Sequence, residues 1–195
     1  MGRKKVCVFI TGTNGVGKSS LARAAIKHFG GVKCEDGGVT YLRDGGVCLA
    51  GSYKVKFGGV DWLRGEKGSS TSVLASVVEE GLKTADIMIC EGSFMNSFGL
   101  NLSNALFKAE RHLVVNLFAD PLVIHSRISA RLGGDREAVA KRNWEQILSR
   151  QRDSMRAACK WRSIGVKVLQ IDTTQASIEE CLGQVLNAVN ELCTQ

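Results

Sequence analysis

The stretch Gly12-Thr13-Asn14-Gly15-Val16-Gly17-Lys18-Ser19 has the spacing G-x-x-x-x-G-K-[ST]. It follows the apolar run Val6 to Ile10 and opens a helical pattern with Leu21, Ala25 and Phe29 on one face. Strand, glycine-rich loop and helix in that order form the context in which a backbone cradles phosphates. Glycines at 12, 15 and 17 let the chain turn its N–H groups inward, and the helix N-terminus adds a partial positive charge. Lys18 then reaches the β- and γ-phosphates, and the Ser19 hydroxyl is placed to ligate Mg²⁺. The segment reads as a nucleoside-triphosphate site built from Thr13, Asn14, Gly15, Val16, Gly17, Lys18, Ser19 and Ser20.

Outward from this loop, the chain alternates strands and helices. Val32–Cys34 is a short candidate strand ending at Glu35-Asp36, and Thr71 or Ser72 opens a helix to about Lys83. Ile87-Met88-Ile89-Cys90 is an apolar strand followed at once by Glu91. A strand buried on both faces of a parallel sheet opens its carboxyl end onto the ligand crevice, so Glu91 suits a role on the metal beside Ser19. Leu113 to Phe118 is a further buried strand, ended by Asp120-Pro121. The helix from Leu122 carries Arg127 and Arg131 on one face, and after a break at Gly133-Gly134 another helix runs to about Trp161. Its expected apolar stripe is Ala140, Trp144, Ile147/Leu148, Met155 and Cys159. Val166–Ile171 is the last strand, and Ser177 to Leu192 a closing amphipathic helix. Five such strands imply a parallel sheet covered by helices on both faces, in an α/β domain spanning residues 1–195.

Residues 37–70 break the alternation with repeated glycines interleaved with Tyr41, Tyr53, Phe57 and Trp62. So long a glycine-punctuated stretch, about 37–70, is functional more often than connective.

The 195 residues carry a net charge of +7, unevenly distributed. Arg127 to Arg162 holds ten Lys/Arg against four Asp/Glu, while residues 163–195 are acidic. That block suits a polyanion, either nucleotide phosphates or a nucleic-acid backbone. Seven scattered cysteines contain no C-x-x-C pair, so they read as structural and suit a reducing compartment. The three histidines likewise read as structural. No apolar run approaches membrane-spanning length and Met1 to Lys5 lead straight into a strand, so the expected location is cytoplasmic.

The chain as a whole resembles the P-loop kinases of the nucleoside and nucleotide kinase type. The matching features are GTNGVGKSS after the first strand, IMICEG, VNLFADP leading to Arg127-x-x-x-Arg131, Arg136 after a short gap, and a final strand ending Ile171-Asp172-Thr173-Thr174. The resemblance implies ATP (or dATP) as donor with Mg²⁺, and a short arginine-bearing lid at about 127–137. It also implies phosphate contacts from Arg127, Arg131 and Arg136, and Thr173 bordering the adenine. The segment Gly51 to Trp62 is similar to bacteriophage P-loop kinases that phosphorylate the 5-hydroxymethyl group of a modified uracil in DNA; if phage-encoded, the protein would act in the host cytoplasm. Under that reading Tyr53, Phe57 and Trp62 stack on a displaced base while Lys54, Lys56 and Arg64 hold phosphates. A kinase also needs a base for the acceptor hydroxyl. Asp36 is favoured, with Asp61 (also placed among the acceptor-binding residues) and Asp44 as rivals. Two other readings stay open: a kinase of a free nucleoside, nucleotide or other small hydroxyl compound, and a non-kinase P-loop ATPase or GTPase. Against a GTPase, no N-K-x-D tetrad occurs.

Overall fold

A computed structural model describes residues 4–29, 33–36, 39–42, 46–51, 53, 59–63, 70–132 and 144–194. The centre is β1, Val6–Thr11, whose six residues are all buried. Val6, Val8 and Ile10 face one hydrophobic core while Cys7 and Phe9 face the other, the strict alternation of a strand covered on both sides. β5 (Ile87–Glu91) and β6 (Arg111–Phe118) flank it in parallel and divide their side chains the same way. β4 (Val47–Ala50) pairs in parallel with β5, and β7 (Lys167–Asp172) with β6.

The five parallel strands are thus β4-β5-β1-β6-β7. The sheet continues beyond β4 with β3 (Val39–Leu42) and β2 (Lys33–Asp36), both added antiparallel to their neighbours, for seven strands in the order β2-β3-β4-β5-β1-β6-β7. This corrects one expectation. Lys33–Asp36 is an edge strand, and the second parallel strand is Val47–Ala50, inside the glycine-rich stretch. Four residues bounded by glycines carry too little periodicity to announce a strand.

Helices α1 (Lys18–Phe29) and α6 (Ile178–Thr194) cover one face of the sheet. Helices α2 (Ser70–Thr84), α3 (Leu100–Leu106) and α5 (Trp144–Ser163) cover the other. α4 (Pro121–Arg131) starts where β6 ends: Leu122 N donates to Asp120 Oδ1 at 2.7 Å and Pro121 supplies a pre-set first helical residue. α6 opens with a reciprocal cap, Ser177 N donating to Glu180 Oε2 at 2.8 Å and Glu180 N to Ser177 Oγ at 3.1 Å.

The stripe of α5 differs from the expected one. Its buried apolar residues are Ile147, Ala157, Ala158 and Trp161, while Trp144 is 42% exposed and Cys159 is on the surface. Trp161 is the anchor, meeting Phe9 and Phe98 edge-on with centroids 6.3 and 4.8 Å apart. α5 therefore packs its C-terminal half on the sheet, and its N-terminal half reaches the carboxyl edge where the phosphate loop lies.

Candidate active site

The loop from Gly12 to Gly17 leaves β1 at the carboxyl edge of the sheet. Gly12, Gly15 and Gly17 take φ values of +133°, +88° and +97°, which L side chains rarely adopt. A Cβ at Gly12 would also stand 2.4 Å from the carbonyl oxygen of Leu117. The start of the loop is fixed from outside: Gly12 N donates to Asn96 Oδ1 at 2.6 Å. Its far side is fixed by Thr173, whose hydroxyl lies 3.0 Å from Val16 O and 3.2 Å from Phe118 O.

Lys18 is only 7% exposed and its ammonium bends back over the loop, donating to Gly12 O at 2.8 Å and Thr13 O at 3.1 Å. Burial lowers its pKa to about 8, against the opposing pull of Glu91 and Asp61 and with a further push from Arg131 and Arg150. Four charged side chains from four places in the sequence therefore act electrostatically on Lys18. Glu91, at the end of β5, is 1% exposed. Burial raises its carboxyl to about 7, countered by Lys18 and by a hydrogen bond with Ser19.

Glu91 Oε1 has no hydrogen-bond partner among the described residues. A buried, orphaned carboxylate oxygen beside a hydroxyl is a strained arrangement for a protein alone. It fits a hard divalent cation, which takes oxygen ligands and completes its shell with water and phosphate. Ser19 and Glu91 are the residues that would hold Mg²⁺.

Asp61 stands beside the residues that follow Glu91. Residues Val60–Trp62 form a 3-10 turn lying against the end of β5, and Ser93 N is 3.0 Å from each Asp61 carboxylate oxygen. The turn can approach so closely because Gly59 (φ +89°) has no side chain; a Cβ there would fall 2.4 Å from Glu91 Oε1. The exposed Asp61 thereby sits within electrostatic reach of Lys18, Glu91 and Tyr53.

Three expected roles change. Asp36 ends β2, the outermost strand, and the sheet order puts four strand spacings between it and β1. At about 4.8 Å each that is roughly 19 Å, so it does not follow the second parallel strand as expected. Tyr53 is 6% exposed within the core, leaving no ring face for a stacked base, and burial raises its pKa well above the usual value. Arg127 does not project from the body as a lid residue. Its Nη1 and Nη2 donate to Thr173 Oγ1 (3.2 Å) and Thr173 O (2.6 Å), tying α4 to the loop after β7. Arg131, one turn later, is the one whose charge reaches Lys18. Lys54, Lys56, Phe57, Asp44, Arg64 and Arg136 lie outside the described residues, as do the side chains of Asp36 and Trp62.

Sequence reasoning missed Asn96, Arg23 and Arg150. Asn96 steadies Gly12, while the charge of Arg23 is felt at Glu91 and that of Arg150 at Lys18. None belongs to a spaced motif, so only the fold brings them in.

Comparison with solved structures bears on the whole chain. The YorR protein of Bacillus subtilis, in complex with phosphorylated GDP, superposes with a TM-score of 0.57 at 18% identity, covering 94% of this chain and 95% of that one. Shikimate kinase from Bacteroides thetaiotaomicron gives 0.55 at 14% identity, over 95% and 98% of the two chains. The chain has the P-loop kinase fold. Deoxyadenosine kinase from M. mycoides with bound dCTP shares it, with a TM-score of 0.53 at 12% identity over 95% and 99% of the chains. No family model matches the sequence, and no curated protein matches it. Among the described residues, no helix is long and apolar enough to cross a membrane.

Proposed function

We propose that this protein is an ATP-dependent phosphotransferase that moves the γ-phosphoryl group to an acceptor hydroxyl. The observation that carries this reading is Lys18 buried over the phosphate loop, donating to Gly12 O and Thr13 O, with the unpartnered buried Oε1 of Glu91 in the same site. The loop N–H groups hold the donor phosphates, and Lys18 exchanges the carbonyls of Gly12 and Thr13 for phosphate oxygens. Ser19 and Glu91 would hold Mg²⁺, which would supply charge neutralisation on the donor. Arg131 and Arg150 stabilise the negative charge spread over the transferring group.

The acceptor oxygen bonds to the γ-phosphorus as the bond from that phosphorus to the β–γ bridging oxygen breaks, and ADP leaves. The acceptor's proton passes to a carboxylate. Asp61 suits that role better than Asp36, being near Lys18 and Glu91, exposed, and held by Ser93 N. We read Thr173, which bridges Val16 and Phe118, as bordering the donor's base.

For the acceptor we favour the 5-hydroxymethyl group of a modified uracil in DNA, with residues of about 37–70 contributing to its binding. Support comes from the sequence similarity of Gly51 to Trp62 and the +6 block from Arg127 to Arg162. A phosphate-transfer assay with γ-labelled ATP, comparing duplex DNA containing 5-hydroxymethyluracil with the free nucleotide and nucleoside, tests the choice. Labelling confined to the small molecules would make the chain a metabolite kinase.

A further inference from the structure

Beside the catalytic centre, a groove of about 630 Å³ runs between residues 93–98 and α5. Its catalytic end is marked by Ser93, whose amide holds Asp61, and by Asn96, whose side chain holds Gly12. Down its length α5 contributes Arg156 and Lys160, one turn apart and therefore neighbours on one helix face. Asp153 also lines it, 3.6 Å from Arg156. Both partners of that ion pair are largely exposed, so it is weak and does not commit the guanidinium. Arg150, whose charge reaches Lys18, lies about 9 Å along the helix axis from Arg156 at 1.5 Å per residue.

Arg156 and Lys160 thus put two cations into the groove from one face of α5. The donor's triphosphate belongs to the loop amides, on the far side of Asn96. An anion in the groove would be a different one, and it would arrive attached to whatever hydroxyl is presented to Asp61.

We propose that this groove takes a phosphate ester of the acceptor, displaced from the reacting hydroxyl and held by Arg156 and Lys160. The inference rests on the phosphotransferase reading and adds to it that the acceptor is phosphorylated. An uncharged hydroxyl compound gains nothing from two cations at that distance, whereas a nucleotide or a nucleic-acid strand does.

The experiment compares the double variant R156E/K160E with R152E/R162E, which makes the same charge change on α5 outside the groove. Binding of a fluorescent 12-nucleotide single strand is measured over a salt series, without ATP or turnover. KM is measured in parallel for ATP and for 5-hydroxymethyl-2′-deoxyuridine, free, as its 5′-monophosphate and within the strand. The groove variant should weaken strand binding about tenfold or more and flatten the salt slope by about 1.4, two contacts at about 0.7 each. It should raise KM for the phosphorylated acceptors while KM for ATP and the free nucleoside stays put. An effect on both strand and monophosphate assigns the groove to a phosphate shared by all nucleotides; an effect on the strand alone assigns it to a nucleic-acid backbone. Equal behaviour of the two double variants, or no change in either, overturns the groove assignment. Because binding of the strand is read without turnover, that outcome leaves the phosphotransferase reading standing, while loss of all transfer in the unmodified protein would overturn that reading instead.

Discussion

Asn96 accepts a hydrogen bond from the amide of Gly12 at 2.6 Å, so the turn after β5 holds the first residue of the phosphate loop. The same turn holds Asp61 through Ser93 N. The phosphate loop and Asp61 therefore share one short support, residues 93–96. Asn96→Ala strands the Gly12 amide, at a cost of about 1–3 kcal/mol. We expect a lower Tm and a raised KM for ATP. Asn96→Asp keeps an acceptor for Gly12 N but sets a negative charge beside the phosphates, so it should recover most of the Tm and none of the ATP affinity. Thermal melts and ATP titrations of both variants check this.

Glu91 predicts a pH dependence with a definite sign. Its folded pKa, about 7, lies above its ordinary value of 4.5, so the folded state binds the extra proton between those values. Stability without ligand should therefore fall as pH rises from about 4.5 to 7, by an amount on the order of a few kcal/mol. Glu91→Gln should remove that slope, raise Tm at pH 8 and abolish Mg²⁺-dependent turnover. Denaturant melts at pH 5 and pH 8 provide the check; an unchanged slope in the variant would contradict the assignment.

The two arginines of α4 should separate by phenotype. Arg127 is tied to Thr173 by two hydrogen bonds, so Arg127→Ala should lower Tm through release of the loop after β7. Arg131→Ala should leave Tm in place and lower kcat by about tenfold to a thousandfold. Melting curves and kcat measured on the same preparations decide between these roles and a shared one.

Much of the fold was legible in the sequence because its signals are local. The run Val6 to Ile10 is buried on both faces and so is apolar throughout, and the glycines at 12, 15 and 17 sit where φ must be positive. Asp120-Pro121 announces the start of α4 as surely as the structure shows it. The segment Val47–Ala50 was not legible, since four apolar residues among glycines show no period. The misplaced second strand carried Asp36 with it. The favoured base moved to Asp61, whose place depends on Gly59 lying against Glu91 from a distant part of the chain. Arg127 and Arg131 look alike in sequence at i, i+4, and only the position of Thr173 distinguishes the anchor from the arginine that reaches Lys18.

Asp61 and Asp36 can be compared directly. Asp61→Asn should lower turnover by about a hundredfold to ten-thousandfold, the usual contribution of a positioned base, with KM for ATP nearly unchanged. Asp36→Asn, at the end of the edge strand β2, should change turnover little. The reverse order of effects, read from steady-state rates at saturating ATP, would return the role to Asp36.

The Lys18 ammonium is desolvated, bonded to the carbonyls of its own loop, and able to exchange them for phosphate oxygens. The most direct measurement is transfer of label from γ-labelled ATP to an acceptor hydroxyl by the unmodified protein and by Lys18→Ala. Loss of one such charge costs on the order of 3 kcal/mol of transition-state stabilisation, so we predict a fall in transfer of about a hundredfold or more with the fold intact by circular dichroism. Near-normal transfer by a folded Lys18→Ala protein would contradict the assignment of this loop as the phosphoryl-transfer site.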